Sequence, residues 1–71
     1  MKLWLISQNV NNGYDTYDAA VVAAETPEEA KNTEVGWADS WAPPDYVIVQ
    51  YLGEARDRHP AGIILSSFNA G

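Results

Sequence analysis

The tetrapeptide Thr26-Pro27-Glu28-Glu29 marks where a helix must begin. Threonine suits the N-cap, where its hydroxyl accepts from an orphaned amide. Proline's fixed φ and missing N–H suit the first helical position, and a glutamate two residues later can reach back to the cap amide. A helix that starts at Pro27 cannot already be running through Glu25. The preceding run AAVVAA, residues 19–24, which alanine propensity alone would make helical, is therefore expected to be a strand, with its valines carrying the β preference. The helix itself should be short, about two turns, because Asn32 and Thr33 are poor helix formers and Gly36 offers a stop.

The other segments fall around this anchor. Residues 3–7 are short, apolar and bounded by QNVNNG, a first strand and its exit loop, with Asn12-Gly13 as the tight turn. Residues 34–45, EVGWADSWAPPD, read as a loop in which Pro43-Pro44 bars regular hydrogen bonding. YVIVQYL, residues 46–52, has the strongest β content in the chain, and IILSSF, residues 63–68, is the last strand. The order β-β-α-β-β gives an α+β fold: a mainly antiparallel four-stranded sheet with one short helix, in a single domain over residues 1–71.

A domain of 71 residues buries only about 60% of the surface its unfolded chain exposes. Such a core rarely supplies more than about 3–5 kcal/mol unaided. There is no cysteine to form a disulfide, which leaves oligomerisation as the common remedy. The strands call for one, since they are apolar on both sides: Leu3 and Leu5 against Trp4 and Ile6, and Val47, Val49 and Tyr51 against Tyr46, Ile48 and Leu52. Near-continuous apolar runs belong to sheets covered on both faces, and a short helix covers one. The second face is expected to be closed either by the Trp37/Trp41 loop folding over it or by another chain. The preferred expectation is a homodimer, made by stacking sheets or by pairing the terminal strand edge. Ala19, Ala20, Ala23 and Ala24 suit close approach of the helix or of another backbone.

Ten acidic against four basic residues give a formal charge of −6. That field repels phosphate backbones and anionic lipid, which argues against direct nucleic-acid or membrane binding and favours a basic partner. The apolar run in MKLWLISQ is too short for a signal-peptide core or a membrane span, so a cytoplasmic location is expected.

No catalytic motif is evident, and the chain is expected not to be an enzyme and to need no cofactor or metal. Cysteine nucleophiles are excluded. His59 stands in a polar loop before Pro60, and His59 with Asp57 and Ser66 or Ser67 is the kind of triad that chance composition supplies. Asp15, Asp18 and Glu25 lack the spacing of a calcium loop and have an ordinary reading as turn-capping or solvated carboxylates. The glycines mark turns rather than a phosphate cradle.

Aromatic residues are the richer signal. Trp37 and Trp41 lie four apart in a loop where burial is not obligatory, and tryptophan is enriched at interface hot spots. Tyr14, Asp15, Tyr17 and Asp18 alternate ring and carboxylate, as a surface that grips arginines would. They are placed at the corner entering the second strand, where Tyr14 and Tyr17 act together only if that corner is turned. Arg56 and Arg58, half of the basic residues, are candidates to meet phosphate if the aromatics stack on a base. The candidate partner-binding set is thus Tyr14, Asp15, Tyr17, Asp18, Trp37, Trp41, Arg56 and Arg58.

GYDTYDAAVVAAETPEEA, residues 13–30, together with the C-terminal ILSSFNAG, residues 64–71, resembles small bacteriophage-encoded proteins. The similarity is weaker across residues 37–45. The resemblance implies expression in an infected bacterial cell, with a host protein or protein complex as target, and no residue role. The functional expectation is a non-enzymatic interaction protein that binds and inhibits a host component, such as a bacterial defence (anti-CRISPR-like) system. The alternative is a protein that sequesters a small nucleotide-like ligand or signal.

Overall fold

A computed structural model describes residues 1–11, 13–37, 40–56 and 60–69, with Asn69 by its backbone alone. Four strands form one sheet: β1 (Lys2–Ser7), β2 (Thr16–Ala24), β3 (Ile48–Glu54) and β4 (Gly62–Asn69). They lie in the order β3-β1-β2-β4, with every neighbouring pair antiparallel. Among the described residues a single α-helix, α1 (Pro27–Lys31), packs over β1, β2 and β3. The expected α+β order and antiparallel sheet are the architecture found.

The helix begins as its sequence dictates. Thr26 is extended, and its Oγ1 accepts from the Glu29 amide at 3.2 Å. The Glu29 carboxylate reaches back one residue further than expected, accepting from the Glu25 amide at 3.1 Å. The helix is five residues long. Asn32 Nδ2 donates to the Glu28 carbonyl at 2.8 Å and Thr33 Oγ1 to that of Glu29 at 2.9 Å, which satisfies orphaned carbonyls and ends the helix well before Gly36.

Two strand starts depart from expectation by two residues or more. β2 starts at Thr16, so Tyr17 and Asp18 lie inside the strand rather than at its corner; pairing of Tyr17 with Phe68 draws the strand back. β3 starts at Ile48. Although Tyr46 has high β preference, Pro43 and Pro44 lead it into a 3-10 turn (Pro44–Tyr46), where the Tyr46 and Val47 amides donate to the Pro43 and Pro44 carbonyls at 3.0 and 3.1 Å. The Asn12-Gly13 turn falls partly outside the described residues.

The core lies on the helix side of the sheet: Trp4 and Ile6 from β1, Ala20, Val22 and Ala24 from β2, Ala30 from α1, then Val35, Trp41 and Val47. Trp41 is thus packed on the same face as the helix. This corrects the alternative in which the Trp37/Trp41 loop folds over the second face. A five-residue helix buries only Ala30, and the loop supplies the bulk the helix lacks. The opposite, outer face has no cover among the described residues. Ile48 there is 59% exposed and Leu65 68%.

Bulges interrupt the pairing of both edge strands, with Asp18, Leu52 and Ile64 as the extra residues, and these add twist where unpaired backbone would otherwise invite further strands. Among the described residues no helix is long and apolar enough to cross a membrane.

Candidate functional site

The loop between β1 and β2 is built on Gln8, which is 4% exposed. Its Nε2 donates to the carbonyls of Asn11 and Tyr17 at 2.6 and 2.7 Å, and its Oε1 accepts from the amides of Val10 and Asn11 at 3.0 and 2.8 Å. Both donors and both lone pairs of the side-chain amide are thereby used. Asn11 Nδ2 then donates to the Trp41 carbonyl at 3.2 Å, so this loop and the tryptophan loop are fastened together at one end of the sheet.

Ser40 performs the same service for Trp37. It is fully buried, its Oγ accepts from the Trp37 amide at 2.9 Å, and its hydroxyl lies 2.6 Å from the Trp37 carbonyl and 3.2 Å from that of Val35. Gly36 makes the turn possible: its φ is +67°, and a Cβ there would meet the Tyr17 ring and Ser40 Oγ. Trp37 is therefore held by a rigid backbone while its side chain stays 53% exposed.

Three rings gather at this end. Tyr17 lies tilted against Phe68, with centroids 4.8 Å apart, and meets Trp37 edge-on at 6.2 Å; Trp37 and Phe68 are 5.9 Å apart. The separations suit edge-to-face and tilted pairing. Tyr17 is partly buried against the core, whereas Trp37 and Phe68 remain open to solvent. Of the sequence candidates, Tyr17 and Trp37 are thus brought together, with Asp18 exposed at the bulge beside them. Asp15 takes the left-handed turn conformation at φ 61°, and Tyr14 next to it is strongly exposed. Trp41 is not part of this ring cluster and packs in the core.

Arg56 is elsewhere. It follows β3 at the opposite end of the sheet, where the neighbouring Ala55 amide donates to the Met1 carbonyl at 2.9 Å. The nine-residue β2 separates the ends, a distance of about 26 Å at about 3.3 Å per residue. Arg56 and the ring cluster therefore cannot grip one nucleotide together. Arg58, like Asp57 and His59 of the triad considered from sequence, lies outside the described residues. Glu25 is likewise at the far end, 3.7 Å from the N-terminal ammonium, and does not join Asp15 or Asp18. Among the described residues, no group of three or more metal-ligating side chains is assembled.

Two contributors were missed in the sequence. Phe68 joins the cluster because a bulge at Asp18 brings it opposite Tyr17, a pairing without local signal. Lys31, at the end of α1, lines a groove of about 460 Å³ with Asn32, Gly36, Trp37, Trp41 and Pro44. Trp41 is 9% exposed, and among the described residues its Nε1 is the buried polar side-chain atom left with no partner. The contrast is Trp4, whose Nε1 donates to the Ala24 carbonyl at 3.0 Å.

No protein-family model, no curated protein and no solved structure matches this chain.

Proposed function

We propose that the protein is a non-enzymatic interaction protein that binds an arginine-bearing surface of a partner through the Tyr17–Trp37–Phe68 cluster, and that it acts by blocking that surface. The observation that carries this reading is a pre-positioned, half-exposed tryptophan, backed by two further rings and fixed through Ser40 and Gly36. An anchor ordered before binding loses little conformational freedom on association. The carboxylates of Asp18 and Glu34 lie beside these rings in sequence, and the chain carries −6. Guanidinium groups both stack on aromatic faces and pair with carboxylates, so arginine answers this surface better than lysine does. The resemblance to phage-encoded proteins points to a component of the host bacterial cell as the partner, a defence complex among the candidates.

The test is affinity capture from bacterial lysate with the wild type and Trp37→Ala, both shown to be folded by circular dichroism. A host protein retained by the wild type, lost with Trp37→Ala, and inhibited by stoichiometric addition of the wild type supports the proposal. Identical captures, or a captured protein whose activity is untouched, would count against it. Trp41→Ala is unsuited to this purpose because Trp41 belongs to the core.

The groove beside the cluster favours a second reading, sequestration of a small anionic ring compound. Lys31 would meet the anion, Trp37 the ring, and the unpartnered Trp41 N–H a ligand acceptor once the loop shifts to admit it. Native mass spectrometry distinguishes the two: a co-purifying small mass that disappears in Trp37→Ala supports sequestration, and bare protein opposes it.

A further inference from the structure

The outer face of the sheet has a composition unlike the rest of this molecule. Strand register arranges it in three rows of four. These are Ile48–Ser7–Ala19–Ser67, Gln50–Leu5–Val21–Leu65 and Gly53–Leu3–Ala23–Gly62. None of these positions carries a charge, in a chain that has ten carboxylates. Ala23 is 1% exposed yet is no part of the helix-side core, so this face already packs among its own side chains.

We propose that two copies of this chain stack outer face to outer face, about a twofold axis that lies between β1 and β2 and runs parallel to them. Such an axis lays β3 of one copy over β4 of the other and β1 over β2, while each row stays over itself. In the first and third rows large side chains then meet small ones, while in the second Gln50 comes over Leu65. Ile48 comes over Ser67, Leu3 over Ala23, and the two edge glycines, Gly53 and Gly62, over each other; Leu5 and Val21 form the centre. The Ile48 side chain enters a shallow hollow of about 330 Å³ lined by Leu5, Ala19, Val21, Leu65 and Ser67. The arrangement is self-complementary, as a twofold interface must be.

Charge points to a second copy as the occupant. Two chains of −6 repel each other wherever carboxylates face across a contact, and these three rows bring none together. Four strands about 4.8 Å apart, with rows spanning about six residues of about 3.3 Å, present roughly 400 Å² per copy. The two copies together thus bury about 800 Å², the size of a weak, reversible pairing rather than an obligate one. Stacking with the strand axes of the two sheets aligned also matches the aligned class of sheet packing.

The experiment is light scattering after size exclusion, combined with cross-linking in this cysteine-free chain. The wild type is expected at twice 7.8 kDa. Because the interface is uncharged and the chains repel, the dimer should tighten as salt rises from about 0.05 to about 0.5 M, the reverse of an ion-paired contact. Leu65→Lys, at a position exposed in the single chain, should fold normally and weaken the dimer roughly 100-fold or more by burying an unpaired charge twice. In a mixture of Ile48→Cys and Ser67→Cys chains, a short bismaleimide should join position 48 of one copy to position 67 of the other. Ile48→Cys alone should give no cross-link, because the two copies of position 48 lie at opposite edges of the stack. A monomer at all concentrations, a Leu65→Lys dimer of undiminished affinity, or efficient 48-to-48 cross-linking would overturn the proposal. The last outcome would indicate edge-to-edge pairing instead.

Discussion

Gly36→Ala tests whether the tryptophan loop is held as described. At φ +67° an L-residue is strained by about 1–2 kcal/mol relative to glycine. The added Cβ would also overlap the Tyr17 ring, lying 2.8 Å from Cδ2, and meet Ser40 Oγ. Neither neighbour can easily retreat: Tyr17 is fixed in β2 and packed on Phe68, and Ser40 holds three backbone groups. Overpacking of this kind costs about 1–3 kcal/mol. The sum, about 2–5 kcal/mol, is comparable to the whole stability of about 3–5 kcal/mol that a core of this size provides. In urea, where a small domain loses about 1 kcal/mol per molar, the midpoint should fall by about 2 M or the protein should be unfolded from the outset, as followed by tryptophan fluorescence. Gly13→Ala is the control, since nothing lies within 4 Å of its added methyl; its midpoint should move by less than about 0.5 M. In a Tyr17→Ala background, Gly36→Ala should still cost the backbone strain and the Ser40 contact but no longer the ring overlap, so the double-mutant cycle should show about 1–2 kcal/mol of coupling. A Gly36→Ala midpoint equal to the wild type, or strict additivity with Tyr17→Ala, would refute the packing argument.

Two other substitutions probe the polar groups beneath the site. Gln8→Ala removes one partner from the Val10 and Asn11 amides and from the Asn11 and Tyr17 carbonyls, and at about 1 kcal/mol per bond should destabilise by about 2–4 kcal/mol; hydrogen exchange should show the Val10 and Asn11 amides losing protection, and an unchanged pattern would contradict the assigned role. Trp41→Phe removes the unpartnered Nε1, relieving about 1–3 kcal/mol while leaving a void of about 40 Å³ that costs about 1 kcal/mol. Its melting stability should thus fall within about 1 kcal/mol of the wild type or exceed it, and a loss above about 2 kcal/mol would mean that the indole N–H is bonded after all.

What the sequence disclosed follows the range of the interactions involved. The start of α1 was legible because Thr26, Pro27 and Glu29 act within one turn of each other, and that one assignment settled residues 19–24 as strand. The alternation that sets Trp4 and Ile6 against Leu3 and Leu5 was legible because strand faces repeat every two residues. The errors arise where distant pairing or an adjacent turn overrides local preference. β2 reaches back to Thr16 because β4 is there to pair with it, and Tyr46 yields to Pro43 and Pro44 despite its β propensity. Trp41 and Trp37, four residues apart in one loop, have opposite fates, core and surface. Periodicity does not distinguish them, because that choice depends on how much of the sheet α1 leaves bare.

That shortness of α1 also accounts for the division of the molecule into two separable surfaces. Because the helix buries only Ala30, the helix side of the sheet is completed by Val35, Trp41, Ala42 and Val47 from the connecting segment. Folding this segment inward leaves Trp37 at its turn, and the outer face receives none of the described residues. On β4 the two surfaces stand back to back: Phe68 and Ser66 share the side of the ring cluster, Leu65 and Ser67 the outer side. A change confined to Leu65 therefore alters stacking between copies without touching Trp37, whereas Trp37→Ala alters the ring cluster without touching the stack. Tyr17 and Trp41 allow no such separation, because each is packed against the core that both surfaces depend on.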